Sequence, residues 1–401
     1  MVFCGIDWAE DHHDVCLVDE AGGVLWRRRI AHDPSGVSEL TAAITRHEPD
    51  PAQVLVAIET GRGLLVAALV EAGYIVYPVN PKAAERFRDR RKPAGGKNDR
   101  LDAAVLADAV RTDRASLRAL LPDSELGREI ATLARDHAAL VRDHTRLRNK
   151  LRSALLEYFP AALNAFDLDA TSALRFLARY ATPEAAARLT PARLEHFLKA
   201  QGANRNAGRK AEAAVAALRA PALRTAPEVA RAKARLVTAL CTQLLALRPT
   251  LDAYERELGR LLKSHPEGEI LLSFPGLGAV LASRVLAGTG DNPDRFRSAA
   301  GLCAYAGSAP IVIQSGRRMV VKARSACPKY FRDAVQQWAD QARRWSPWAK
   351  EFYLRHRARG HNHNESLRAL GNRLLELLFD LRRLHRTYDE AVHAANIRWA
   401  A

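Results

Sequence analysis

The chain is 401 residues long and 48% hydrophobic, with 61 Lys and Arg against 45 Asp and Glu, a formal net charge of +16. That length allows two or three domains and that apolar fraction supplies a core, which excludes a disordered or low-complexity chain. The basic excess is mostly arginine, which suits bidentate contacts to phosphate, so the expected partner is a polyanion with nucleic acid first.

The five cysteines, Cys4, Cys16, Cys241, Cys303 and Cys327, are odd in number and form no CxxC pair. Neither a disulfide framework nor a zinc site is expected, and a reducing cytoplasm fits. The opening "MVFCGIDWAE" has no basic segment ahead of an apolar one, so no signal peptide is expected. No apolar run approaches the roughly 18 residues of a membrane span, so no membrane partner is expected either.

Taken in order, the first ~115 residues alternate strand and helix signals. "VFCGIDWA" is a short apolar run ending near Asp7, and "HDVCLVDEAGGVLWRRRIAH" reads as a hairpin turning at Ala21-Gly22-Gly23. "VLVAIET" is a buried strand ending at Glu59, and "YIVYPVN" is another, closed by Pro81. Helices are predicted at 35–47, 62–72, 82–91 and 101–112. Three early strands followed by strand–helix alternation imply an α/β domain over 1–118, its sheet antiparallel on one side and parallel on the other.

From residue 124 the pattern turns to long helices. Leu126, Ile130, Leu133, His137, Leu140, His144, Leu147, Leu151, Ala154 and Tyr158 keep a 4-3 spacing, a heptad seam of coiled-coil type. Its partner is either a second helix at 228–264, through Leu236, Leu240, Leu247, Leu251, Tyr254, Leu258 and Leu261, or another copy of the chain. Pro249 is expected to kink that second helix. Residues 161–224 read as an insert of short helices, so the all-α middle spans 119–265.

The third region, 266–401, is mainly helical. "LLSFPGLGAVLASRVLAG" sets Pro275-Gly276-Leu277-Gly278 between two apolar helical segments, a helix-hairpin-helix pattern in which the amides of the turn can bind a nucleic-acid phosphate. An ordinary helix–helix turn is the alternative. "IVIQ" and "RMVV" are short strands around Ser315-Gly316-Arg317. "RGHNHNESL" is a solvated loop and helix cap, although His361 and His363 are metal-ligand types.

The chemistry lies in four carboxylates. Asp7 and Glu59 close two strands, and Asp99 and Asp102 in "KNDRLDA" sit three apart at a helix start, on one face, flanked by Lys97 and Arg100. Carboxylates at the ends of adjacent central strands emerge at one edge of a sheet, and a helix packed across that edge can bring two more. Four such groups make a hard, oxygen-rich site for Mg²⁺ or Mn²⁺, of the kind that clamps a phosphodiester. Each element alone is common: an acid at a helix start can simply answer the helix dipole.

Together "GIDWA", "AIET", "KNDRLDA", the long middle helices, "FPGLG" and "AGSAP…QSGRR" stand in the order of the DEDD insertion-sequence transposases, and over essentially the whole chain the protein resembles that family. The resemblance implies a Holliday-junction-resolvase-like, RNase H-like N-terminal domain and a separate C-terminal transposase domain. It implies a metal site at Asp7, Glu59, Asp99 and Asp102 holding Mg²⁺ (or Mn²⁺), and a serine nucleophile, best matched by Ser315, with Ser298 and Ser308 as competitors. Arg317 and Arg318 would neutralise phosphate charge. Also implied are DNA substrates (element ends and target), a structured guide RNA as in the bridge-RNA-guided recombinases, a homo-oligomer (dimer or tetramer), and a place at the nucleoid. The stretch "SACPKYF" departs from the Gly-rich, Asn-containing segment of many relatives.

Three rivals remain open. A sugar kinase or actin-like ATPase would need a phosphate loop after the first strand, where "DWAE" has Ala9 and Glu10 instead of glycines. A junction-resolving nuclease would use the four acids and water but not Ser315. A non-catalytic nucleic-acid-binding protein would have lost the metal.

Overall fold

A computed structural model describes residues 1–91, 99–223, 225–316 and 318–393, with the backbone alone at 91, 99 and 100. By internal contacts the chain divides into two units, one of Met1–Ser124 with Asn292–Gly301 and Arg324–Ala326, the other of the remainder.

The first unit is a five-stranded mixed sheet. Strands β1 (Val2–Trp8), β2 (His12–Val18), β3 (Val24–Ala31), β4 (Val54–Ile58) and β5 (Ile75–Pro78) lie in the order β3-β2-β1-β4-β5. β1–β2 and β2–β3 pair antiparallel, and β1–β4 and β4–β5 pair parallel, as the sequence pattern predicts. Helices α1 (Pro34–His47), α2 (Leu64–Glu71), α3 (Pro81–Arg91) and α4 (Asp99–Asp113) complete it. α1 starts where Asp33 accepts a hydrogen bond from the Gly36 amide at 2.8 Å and Pro34 opens the first turn.

The central strands are largely apolar because both faces of the sheet are covered. On one face Cys4, Ile6, Val15, Leu17, Val56 and Ile58 pack with Leu40, Ile44, Leu65 and Leu69 of α1 and α2. On the other, Phe3, Cys16, Val18, Leu55 and Ala57 pack with Ala103, Ala104, Leu106, Ala107 and Val110 of α4. The period-2 alternation of β1 therefore sends Phe3, Gly5 and Asp7 toward the face that α4 covers.

The segment Asn292–Gly301 belongs to this unit. Phe296 is buried beneath the Arg118 guanidinium, 5.4 Å from the ring centroid, and Arg295 pairs with Asp123 at 3.4 Å. No local sequence pattern announces this long-range packing.

The second unit is helical. α5 (Glu125–Tyr158) is followed by α6 (Ala161–Ala165), α7 (Thr171–Arg179), α8 (Pro183–Ala187), α9 (Pro191–Ala200), α10 (Ala207–Arg219) and α11 (Pro227–Ser264). Within the chain α5 packs along α11, and Ile130, His137, Leu151, Ala154 and Tyr158 of the heptad seam are buried. The His137 ring lies 6.4 Å from that of Tyr254. α11 runs through Pro249 without a break in its helical structure. The short helices α6–α10 build their own core with the end of α5 and the start of α11, around Phe176, Leu177, Leu194 and Val215.

The remainder of this unit contains α12 (Gly268–Ser273), α13 (Ala279–Thr289), part of α14 (Ala299–Ala306), the hairpin β6 (Ile311–Ser315) and β7 (Arg318–Lys322), then α15 (Lys329–Trp345), α16 (Pro347–Ala358) and α17 (His363–Arg383). Buried Trp338 of α15 anchors the turn between α12 and α13: its indole N–H donates to the Pro275 carbonyl at 3.2 Å, and its ring meets Phe274 edge-on. In the "RGHNHNES" loop Asn362 caps α17 in a reciprocal box with Glu365, and His361 and His363 are exposed. Among the described residues no helix is long and apolar enough to cross a membrane.

Candidate active site

Asp7 stands one residue before the end of β1, and Glu59 immediately follows β4. The parallel register sets Ile6 beside Ile58, so the next two residues leave the ladder side by side, on the face that α4 covers. Opposite Asp7 on β2 is Asp14, whose own opposite number on β3 is Arg29. Arg29 donates to Asp14 from Nη2 at 2.6 Å and from Nε at 3.2 Å, so Asp14 is a paired carboxylate.

The third acid arrives on α4. Its approach to β1 is set by Gly5: a Cβ there would lie 1.9 Å from the Ala103 carbonyl oxygen and 2.3 Å from the Ala107 amide nitrogen. Glycine against a run of alanines lets helix backbone rest on strand backbone, which holds the first turn of α4, with Asp102, near the end of β1. Asp102 is buried and accepts a 2.6 Å hydrogen bond from Arg88 Nε of α3. The Arg88 guanidinium is held above its ordinary pKa, first by this hydrogen bond and then by the charges of Asp102, Glu59 and Asp7. One guanidinium thus lies in the field of three of the four expected acids.

The side chains of Asp99 and Arg100 lie outside the description, as does all of Lys97. The backbone places Asp99 one helical step of three before Asp102, so the two share a face of α4. Among the described residues no three His, Cys, Asp or Glu side chains gather closely enough to hold a metal ion.

The serine candidates separate by their surroundings. Ser308 is buried, its hydroxyl 3.1 Å from both the Cys303 carbonyl oxygen and Asn372 Oδ1. Ser298 accepts from the Gly301 amide at 3.2 Å, in the manner of a helix cap. Ser315 is exposed at the end of β6, before Gly316 with φ +56°, and is paired in register with Arg318. The positive φ is what a two-residue hairpin turn requires, and glycine meets it without strain. Arg317 lies outside the described residues. On this hairpin Val312, Met319 and Val321 are all more than half exposed.

At the α12–α13 turn Gly276 adopts φ +80°, and a Cβ there would meet the backbone of α15 at 2.7 Å. Packing against α15 is one reason for this glycine. Gly278, the residue before α13, faces open space and lines a cleft of about 660 Å³ with Leu277, Ala279 and Trp345.

The sequence reading misses two residues at the acidic edge. Gly5 carries a signal, since it sits inside "GID" where a strand residue should have a side chain to pack. Arg88 carries none: it lies in a helix so basic that it reads as a solvated face.

Comparison with known proteins gives the class. The family described as "Transposase" (DEDD_Tnp_IS110) matches residues 4–160, which span Asp7, Glu59, Asp99 and Asp102. The "Transposase IS116/IS110/IS902 family" matches residues 268–354, which span the α12–α13 turn and Ser315. The chain is 40% identical to the "Mini-circle putative transposase for IS117" of Streptomyces coelicolor, over 97% of this chain and 95% of that protein. It is 31% identical to the insertion element IS116 uncharacterized 44.8 kDa protein of Streptomyces clavuligerus, over 97% of this chain and 96% of the other. With the insertion element IS900 uncharacterized 42 kDa protein of Mycobacterium paratuberculosis the identity is 30%, over 98% of both chains. The protein belongs to the IS110/IS116/IS902 family of transposases, enzymes of DNA strand transfer.

Proposed function

We propose that the protein excises and inserts an insertion sequence by attack of a serine on DNA phosphodiesters, assisted by an RNase H-like acidic site. The observation that carries this reading is the acidic edge. Asp7 and Glu59 close two neighbouring parallel strands, Asp102 on α4 accepts a hydrogen bond from Arg88, and the charges of all three act on that guanidinium, in a sheet of order β3-β2-β1-β4-β5.

The donor set is all carboxylate, held at a partly buried sheet edge where like charges need a cation, so it fits Mg²⁺ or Mn²⁺. Asp7, Glu59, Asp102 and Asp99 are the residues that would hold it, and the chemistry it supplies there is charge neutralisation at the phosphate oxygens. Ser315 Oγ forms a bond to phosphorus while the bond from phosphorus to the 3′ oxygen breaks, leaving a DNA phosphoserine and a free 3′ hydroxyl. Attack of a 3′ hydroxyl on that link rejoins the strands and restores the serine. Arg318, opposite Ser315 in the ladder, sits where it can neutralise phosphate charge, a role shared with Arg317. The net charge of +16 suits both DNA and a structured guide RNA. Lys97, Arg100 and the turn around Gly276 and Gly278 are assigned to the nucleic-acid backbone. A homo-oligomer, in which the acids of one protomer act with the serine of another, fits a serine and an acidic cluster carried on separate units of the chain.

The test is a covalent-adduct assay. Purified protein, Mg²⁺, labelled DNA spanning the element ends, and RNA transcribed from the flanking non-coding region are mixed and run on a denaturing gel. An adduct lost in Ser315→Ala and in Asp7→Ala is expected. Cleaved DNA without an adduct, still made by Ser315→Ala, would establish a water-using nuclease instead.

A further inference from the structure

We infer that Arg88 is a positioning residue of the acidic cluster: its guanidinium shares the carboxylates with the incoming divalent cation, and binding of that cation exchanges the one for the other. The inference rests on the metal-site reading above and goes beyond it, since that reading assigns Arg88 nothing.

The geometry distinguishes Arg88 from its neighbours. α3 presents Arg86 and Arg90 to solvent, and Arg90 pairs with Asp113 at 2.9 Å. Arg88 turns inward instead, its side chain 24% exposed, and meets the 5% exposed side chain of Asp102 at 2.6 Å. A carboxylate so buried requires a partner charge, and removing that partner leaves an uncompensated ion. Asp7 and Glu59 end β1 and β4 on the face that α4 covers, the same face as the first turn of α4 that carries Asp102. A divalent cation is drawn to the same carboxylates. The guanidinium opposes that cation twice over, by repulsion and by occupying Asp102 Oδ1.

A plain strut between α3 and α4 would use the same hydrogen bond, and the two roles differ in what they do to metal affinity. Loss of a strut lowers stability and leaves cation binding alone or weakens it by loosening Asp102. Loss of a competing charge lowers metal-free stability and strengthens cation binding.

The experiment uses the full-length protein in four forms: wild type, Arg88→Gln, Arg88→Lys and Arg86→Gln. Mn²⁺ binding is measured by titration calorimetry and thermal melts are recorded with and without Mn²⁺. Arg88→Gln should bind Mn²⁺ roughly tenfold more tightly than wild type, the size expected for removing one partly screened like charge. Its melting temperature should rise more on adding Mn²⁺ than that of wild type. Arg88→Lys should return to near wild-type affinity, and Arg86→Gln, an exposed charge on the same helix, should change it by less than about twofold.

Unchanged or weaker binding by Arg88→Gln, with wild type binding Mn²⁺, overturns the inference and leaves Arg88 a strut. Failure of wild type itself to bind Mn²⁺ overturns the metal-site reading and this inference with it. If Arg88→Gln does not fold, phenylglyoxal modification of wild type, mapped by peptide mass spectrometry, reads the same exchange. Mn²⁺ should increase labelling of Arg88 and leave Arg86 unchanged, whereas equal labelling of Arg88 with and without Mn²⁺ overturns the exchange.

Discussion

The acidic edge and the serine hairpin are built on opposite principles. Asp7, Glu59 and Asp102 stand on or beside elements that are mostly core: β1 and β4 are largely buried strands, and α4 is fixed by backbone contact at Gly5. Ser315 stands on a two-stranded ribbon whose apolar side chains Val312, Met319 and Val321 face solvent. A sheet of five strands covered on both faces is a rigid frame, whereas an isolated hairpin in water is marginal. Charge that must be concentrated at one point needs the rigid frame. On the proposed mechanism the nucleophile is carried on such a ribbon, where what it docks against can supply the missing order.

The largest expected effects test this contrast at the proposed reacting groups. Asp7→Asn and Ser315→Ala should each lower strand transfer by on the order of 10³-fold or more, the scale of losing a charge-stabilising or nucleophilic group. Their effects on folding should differ. Ser315→Ala should leave the melting temperature unchanged, since its side chain is exposed. Asp7→Asn removes a charge that favours the Arg88 guanidinium and should lower the melting temperature. Calorimetric melts beside the activity assay check both, and a Ser315→Ala protein that melts early would mean the hairpin is packed after all.

Next in size is Gly5→Ala. The added methyl would fall 1.9 Å from the Ala103 carbonyl oxygen, so α4 must move. Overpacking of this kind typically costs about 1–3 kcal/mol. Because the displaced helix carries Asp102, strand transfer should fall further than the stability loss explains. Urea denaturation and Mn²⁺ titration of the variant separate the two. Full Mn²⁺ affinity in Gly5→Ala would show that the acids do not depend on the backbone contact.

Much of the first unit was legible in the sequence, and the reason is physical. Strands buried on both faces read as unbroken apolar runs, so β1, β2, β4 and β5 declare themselves, and carboxylates at their ends stand out against the run. α5 and α11 show their apolar stripes by spacing, although the stripe itself left open whether the partner was this chain or another copy. What stayed hidden was set by contacts between distant residues. Arg88 and Asp102 are fourteen positions apart on two helices with no shared pattern, and Phe296 reaches Arg118 across more than half of the second unit's sequence. Gly276 looked like a phosphate-binding glycine, and its φ of +80° against the backbone of α15 gives it a packing reason that the sequence could not reveal.

A smaller effect belongs to the rigid side of the contrast. His13 on β2 is buried, accepts from the Ala9 amide at Nδ1 and lies 2.8 Å from His32 Nδ1 through its Nε2. Burial first, then the neighbouring His32 and His12, push its pKa down to about 4. The unfolded chain takes up a proton near the ordinary value of about 6.5, so the folded state binds fewer protons between these values. Stability from neutral His13 is therefore complete above about 6.5 and is lost as the pH falls toward about 4. The melting temperature of wild type should drop across that interval more steeply than that of His13→Gln, and parallel curves would remove His13 from the account.

The smallest effect is the one the hairpin should not show. Val312 and Val321 face each other across the ladder at 58% and 59% exposure, so little of either is withdrawn from water in the isolated chain. Val312→Thr and Val321→Thr should change the free energy of unfolding by less than about 0.5 kcal/mol, as exposed substitutions usually do. Leu106→Ala, at a fully buried position of α4 where the sheet has no room to collapse, should cost about 2–5 kcal/mol. Denaturant titration of the three variants compares them directly. If the threonine variants unfold normally yet lose adduct formation, the ribbon acquires its order from DNA, RNA or a second protomer, and the valines act at that contact. If they unfold early, the ribbon is already part of a packed core, and the contrast between a rigid acidic site and an adaptable nucleophile does not hold.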